Sequence, residues 1–287
     1  MKRAALVLAL VITAACGSLE GPRSGAVSPP TDALARWQNF PADRVPRPIV
    51  LLGVNPPGQG FNTNDEKIAA LCSKFALATP LPPTLPAQGV ASWVDGTTAL
   101  FATTSAADAF ARMTTEGKPA SSPDCARVAP LQVTAIRLDK AAFTTDRGVA
   151  QMSAWLFKAT GAWAEFASPA IAPSAFWKEA FSEASIGGGA SVSASGRQLA
   201  FSFIGGPADG ACAVDYTGVV AESPHAVAVA VQSNPGRTEA GPVACDAVGH
   251  MRSVTVTLAS PLGGRVLVDA SGAAVEACPE AIRSGCF

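Results

Sequence analysis

In the C-terminal third of the chain, apolar residues recur at every second position. Leu199, Phe201 and Phe203 share one face, as do Val227, Val229 and Val231, and Val254, Val256 and Leu258 alternate with Ser253, Thr255 and Thr257. A period of two places successive side chains on opposite faces, so these segments are predicted to be β-strands. Around Val227 the second face is alanine rather than polar, which predicts burial on both sides and a central place in the sheet. Arg265 to Asp269, Ser271-Gly272 and Ala273 to Ala277 read as a hairpin, with the glycine supplying the positive φ of its turn. Upstream, Ile49-Val50-Leu51-Leu52 is framed by prolines and reads as a short buried strand entering the turn Asn55-Pro56-Pro57-Gly58.

Three short segments carry helical spacing instead. Thr63 and Glu66 have the spacing of a capping box, with Ile68, Leu71, Cys72 and Phe75 on one following face. Ser105 starts a second helix whose inner stripe is Ala106, Ala109, Phe110 and Met113, ending near Gly117. A third is predicted from Ser174 to Ser185, with Phe176, Trp177, Ala180 and Phe181 inward and Lys178, Glu179 and Glu183 outward. Between the first two, Thr79 to Pro86 holds four prolines and is an extended connector. Gly187-Gly188-Gly189 cannot hold a regular element cheaply and marks the main boundary.

The fold class read from this pattern is α+β and β-rich, with two mostly antiparallel-sheet modules and short helices. The modules span residues 41–186 and 190–287. Residues 155–165 parallel residues 266–276, and Cys125 precedes Val133-Thr134 much as Cys245 precedes Val254-Thr255. A tandem repeat is one reading of that likeness; two unrelated domains, or one continuous domain, are the others.

At the amino end Lys2 and Arg3 precede an apolar run from Ala4 to Ala15, the form of an export signal over residues 1–15. The run is too short for a bilayer core, which needs roughly 20 helical residues. Thr13-Ala14-Ala15-Cys16 resembles a bacterial lipobox, with Thr13 where such motifs favour Leu. The resemblance implies a diacylglyceryl thioether on Cys16, which becomes the first residue of the mature protein. Ordinary secretion with Cys16 left free is the competing reading. Two acyl chains suffice for stable anchoring where one is marginal. Residues 16–40 then form a lipidated tether; its Gly-, Ser-, Pro- and Ala-rich part, about 18 residues, reaches roughly 25 Å.

Composition removes several function classes. Charged residues make up 15% and apolar residues 48%, with a mean hydropathy of +0.27, so disorder does not describe most of the chain. With 21 basic and 22 acidic residues and no long run of either sign, there is no electrostatic footprint for nucleic acid. Arginine outnumbers lysine 14 to 7, which by association points to a GC-rich genome such as that of an actinobacterium.

Apart from Cys16, the cysteines are Cys72, Cys125, Cys212, Cys245, Cys278 and Cys286. An even number in an exported chain reads as disulfides, and neighbours in sequence are the expected pairs: Cys72–Cys125, Cys212–Cys245 and Cys278–Cys286. No C-x2-C occurs, so a metal site is the weaker reading and no cofactor is expected.

Catalytic candidates are few. His225 and His250 are the two histidines, and with Asp215 or Asp246 and a serine they could compose a triad. No G-x-S-x-G, S-x-x-K or H-E-x-x-H accompanies them, so both read as strand-end residues. Glu179 and Glu183 read as an exposed helix face, and Gly58-Gln59-Gly60 and Asp146-Arg147-Gly148 as turns. Trp155, Trp163 and Trp177, with Phe157, Phe166 and Phe176, read as core packing. The function expected first is a non-catalytic envelope lipoprotein on the extracytoplasmic face of the membrane, binding a protein, glycan or peptide partner. A carrier of an apolar ligand is the second reading and a secreted hydrolase the third.

Overall fold

The computed structural model describes residues 29–52, 60–115, 123–177, 188–235, 245 and 248–285. The fold is α+β and β-rich, as the alternation predicts. In chain order its elements begin with helices α1 (Thr31–Ala35) and α2 (Asn64–Leu71), then strands β1 (Phe75–Leu77), β2 (Gly89–Trp93) and β3 (Thr98–Phe101). Helices α3 (Ala106–Thr115) and α4 (Pro123–Arg127) lead to β4 (Leu131–Thr145), β5 (Gly148–Ala159) and β6 (Phe166–Pro169). These strands form one sheet in the order β1-β4-β5-β2-β3, with β6 also beside β5.

Strand β5 lies inside this sheet and is buried on both faces. On one face Trp155, Phe157 and Ala159 meet Val133 and the helix residues Ala69, Ala106 and Ala109. On the other, Met152, Ala154 and Leu156 meet Ile49, Trp93, Phe143 and Ile171.

The second unit contains β7 (Gly189–Val192), β8 (Gln198–Gly205), β9 (Val214–Glu222), β10 (Ala226–Pro235), β11 (His250–Thr257), β12 (Val266–Asp269) and β13 (Glu276–Pro279). Two sheets, β12-β10-β9 and β11-β8-β7-β13, enclose Leu199, Phe201, Val227, Val229, Val254, Val256 and Leu267. Strand β10 is central in its sheet, as its two apolar faces predict. Gly218 on β9 lets the sheets approach, since a Cβ there would lie 2.5 Å from the Val256 side chain.

Several expectations are corrected. The tether expected to reach residue 40 ends sooner, because α1, Trp37 and Phe40 pack on Ala226, Ala228, Val266 and Val268. Burying a large apolar side chain is worth about 1.5–3 kcal/mol, and the small β10 alanines leave room for the two rings. The stretch before the first sheet thus belongs by packing partly to the second unit.

Helix α2 stops at Leu71, with Ser73 at φ 53, so Leu71 is exposed and Phe75 enters β1. In place of a helix from Ser174, a 3-10 turn spans Pro173–Ala175 and Phe176 is extended, bridging Ile49 in parallel; residues 178–187 lie outside the described residues. Residues 49–52 make isolated bridges rather than a strand. The 265–277 turn forms with Gly272 at φ 85, but after Val275 the chain crosses to the other sheet, where β13 pairs in parallel with β7.

The tandem repeat does not extend to topology. Trp155 to Ala159 lie in an interior antiparallel strand, whereas Val266 to Asp269 form an edge strand parallel to β10. What the two stretches share is a positive-φ glycine after the strand, Gly161 and Gly272.

The capping box is present as read. The Thr63 hydroxyl accepts from the Glu66 amide at 3.3 Å, and the Glu66 carboxylate accepts from the Thr63 amide at 2.7 Å. Thr63→Ala is expected to lower stability by about 1 kcal/mol, read as a lower urea midpoint with unchanged slope.

Candidate functional site at the junction of the two units

Strands β4 and β5 are joined by two residues, Asp146 and Arg147, with Gly148 at φ 87 completing the turn. Thr145 holds this tip: its hydroxyl donates to the Gly148 carbonyl at 2.6 Å and accepts from the Trp93 indole at 3.1 Å. The tip projects onto the second unit. The Asp146 amide donates to the Val50 carbonyl at 3.0 Å, and its carbonyl accepts from the Ala277 amide at 3.0 Å. Two peptide groups therefore bind the amino-terminal segment and β13 to one hairpin.

The side chains reinforce this joint. The buried Asp146 carboxylate receives both Nη atoms of the buried Arg47, one at 3.3 Å. Arg47 Nε donates to the Gly264 carbonyl at 2.6 Å, and its guanidinium lies 4.7 Å from the Phe40 ring centre. With these bonds the ion pair is largely satisfied, the condition under which a buried pair is tolerated.

Arg147 stands apart. Its guanidinium lies over the Trp93 ring at 3.8 Å, and its Nε is buried without an acceptor. Among the described residues no carboxylate or carbonyl accepts from it, and Asp95, the nearby acid, is bound to Thr97 in its own turn. Burial pushes the Arg147 guanidinium down to about 10, with Asp146 opposing, Arg47 adding to the fall and Asp95 opposing. Two arginines and two aspartates thus act on one another here, and Arg147 is the one of the four that makes no ion pair or side-chain hydrogen bond among the described residues.

The other nominated residues do not assemble. His225 precedes β10 at the Glu222 end of β9, with Nδ1 2.7 Å from the Phe40 carbonyl. His250 opens β11 opposite Gly205, at the Val214 end of β9, where Arg252 donates to the Val214 carbonyl at 3.0 Å. The two histidines sit at opposite ends of the sandwich and share no cleft. Asp215 is exposed opposite Asn234. Asp246, Glu179, Glu183, Gly58 and Gln59 lie outside the described residues.

Trp155 is core, its indole donating to the Thr104 carbonyl at 3.0 Å, and Trp177 packs edge-on to Phe40. Trp163 corrects the core reading: it is 71% exposed, seated on Gly60, with its indole on Asn62 at 2.9 Å.

Cys72–Cys125 joins the end of α2 to α4 with a Cα separation of 5.6 Å, and Cys212–Cys245 spans 5.8 Å. Cys278 is also disulfide-bonded, while its expected partner Cys286, like Cys16, lies outside the described residues. Among the described residues no group of three or more His, Cys, Asp or Glu could hold a metal ion.

The chain matches no protein-family model, no curated protein and no solved structure. Any reading of function therefore rests on the chemistry of its own residues. Sequence reading placed Asp146-Arg147 correctly in a turn but missed the role of that turn. The acid-base pair Asp146 and Arg47 is 99 residues apart in the chain, and no local spacing announces it.

Proposed function

We propose that the protein is an extracytoplasmic lipoprotein, anchored through Cys16, whose folded body binds a protein, glycan or peptide partner without catalysis. The observation that carries this reading is the disulfide framework. Cys72–Cys125 and Cys212–Cys245 each lie within one unit, and such bonds persist where no thiol pool reduces them. Among the described residues no helix is long and apolar enough to cross a membrane. The charged, apolar and small-residue order before Cys16 supports export and acylation.

Two surface features favour binding. Trp163 offers a large exposed ring fixed by one hydrogen bond, and Arg147 offers a guanidinium that no carboxylate among the described residues pairs with. Mass spectrometry of the protein from its native membrane is expected to find Cys16 at the amino terminus, carrying a diacylglyceryl group. An unmodified thiol on Cys16, or an intact leader, overturns the reading.

A further inference from the structure

We propose that Arg147 is the receiving group for a carboxylate on the binding partner, so that the junction of the two units is itself a recognition site. This deepens the binding reading and rests on it. Six other arginines in the described residues spend guanidinium protons on main-chain carbonyls: Arg44, Arg47, Arg112, Arg197, Arg252 and Arg265. Arg127 and Arg137 pair with carboxylates. Arg147 and Arg36 do neither, but Arg36 is an exposed side chain, whereas Arg147 is fixed with one face on Trp93 and its Nε out of water.

Withdrawing a cation from water without a hydrogen-bonded anion is costly, and stacking on Trp93 offsets only part of that cost. The arrangement makes sense for a group that must be held ready. With one face of the guanidinium covered, the approach left to it is along its Nη edge, where no acceptor among the described residues is bonded. That edge offers two parallel N–H donors, the geometry that matches a planar carboxylate. Asp95 and Asp146 are the acids that face Arg147, and both are already bound, Asp95 to Thr97 and Asp146 to Arg47.

The test is a titration of the full mature protein, followed by the Arg147 Nε–H and Trp93 indole N–H signals in nitrogen-15 NMR. Three short peptides serve as probes: one with a free C-terminal carboxylate, one amidated at its terminus but carrying a glutamate, and one amidated and uncharged. Either carboxylate peptide is expected to shift both signals saturably at about millimolar concentration, and which one does so identifies the source of the carboxylate. The uncharged peptide is expected to bind at least about tenfold more weakly. In Arg147→Gln the Trp93 shift is expected to vanish while the thermal midpoint is unchanged or raised, because a desolvated cation has been removed. Equal response to the uncharged peptide, a stronger response to inorganic phosphate, or no response at all overturns the assignment. Such a failure leaves the Cys16 anchor and partner binding elsewhere on the surface standing, whereas loss of the anchor would leave this titration unchanged.

Discussion

Asp146→Ala is expected to destabilise the protein by about 3–5 kcal/mol, the cost of leaving a buried cation uncompensated. Arg47 has nowhere else to place its charge: its remaining bonds are to the Gly264 and Pro48 carbonyls, and it is enclosed beside Phe40. The loss should appear in a denaturant titration as a large drop in midpoint. It should also loosen the joint between the two units, because the Asp146 turn supplies main-chain bonds to Val50 and Ala277. The double change Arg47→Met with Asp146→Leu should recover much of the loss, since a buried pair replaced by apolar residues is often near neutral. A midpoint within experimental error of the parent for Asp146→Ala would mean that the pair is not sealed from water.

Removing Cys72–Cys125 is the second large effect. The bridge closes a loop with a sequence separation of 53, and loop-closure entropy puts its worth at about 4 kcal/mol. Cys212–Cys245, with a separation of 33, should be worth about 0.4 kcal/mol less on the same scaling. Double alanine variants of each pair, compared by thermal unfolding, measure both. Cys72 is buried at the end of α2, and Lys74 also ties this corner by donating to the Cys125 and Val128 carbonyls. Hydrogen exchange should therefore rise first around α2 and α4 when the first bridge is absent, rather than across the sandwich. A uniform rise would contradict the assignment of each bridge to its own unit.

Local rules carried far in this chain. The period of two around Leu199, Val227 and Val254 placed three strands and their inward faces, because alternation follows directly from strand geometry. The capping box at Thr63 was legible because both partners are three residues apart. What was lost depended on distant contacts. Trp37 and Phe40 look like the end of a tether until β10 supplies an alanine surface to cover, and Phe176 looks helical until Ile49 offers it a bridge. The exit of β13 to a different sheet also has no local sign, since its turn to Gly272 is the turn of an ordinary hairpin.

The candidate site was the least legible part, for the same reason. Arg47, Trp93 and Asp146-Arg147 come from three separate stretches, and their meaning arises where those stretches meet. Arginine usage carries a further lesson. The excess of arginine over lysine reads from composition as a genomic bias, but in the fold the guanidinium has structural work at both ends of the sandwich. Arg252 takes the Gly206, Pro207 and Val214 carbonyls at one end, while Arg265 takes Ser260 and Pro261 and pairs with Glu222 at the other. At Arg265 a lysine ammonium could not span the acceptors that Nε, Nη1 and Nη2 reach in one plane.

Peptide mapping of protein taken from its native membrane without reduction tests the whole account most directly. The expected result is cross-linked Cys72–Cys125 and Cys212–Cys245 peptides together with an acylated Cys16 at the amino terminus. Free thiols at those four positions, in a chain that still carries residues 1–15, would contradict it.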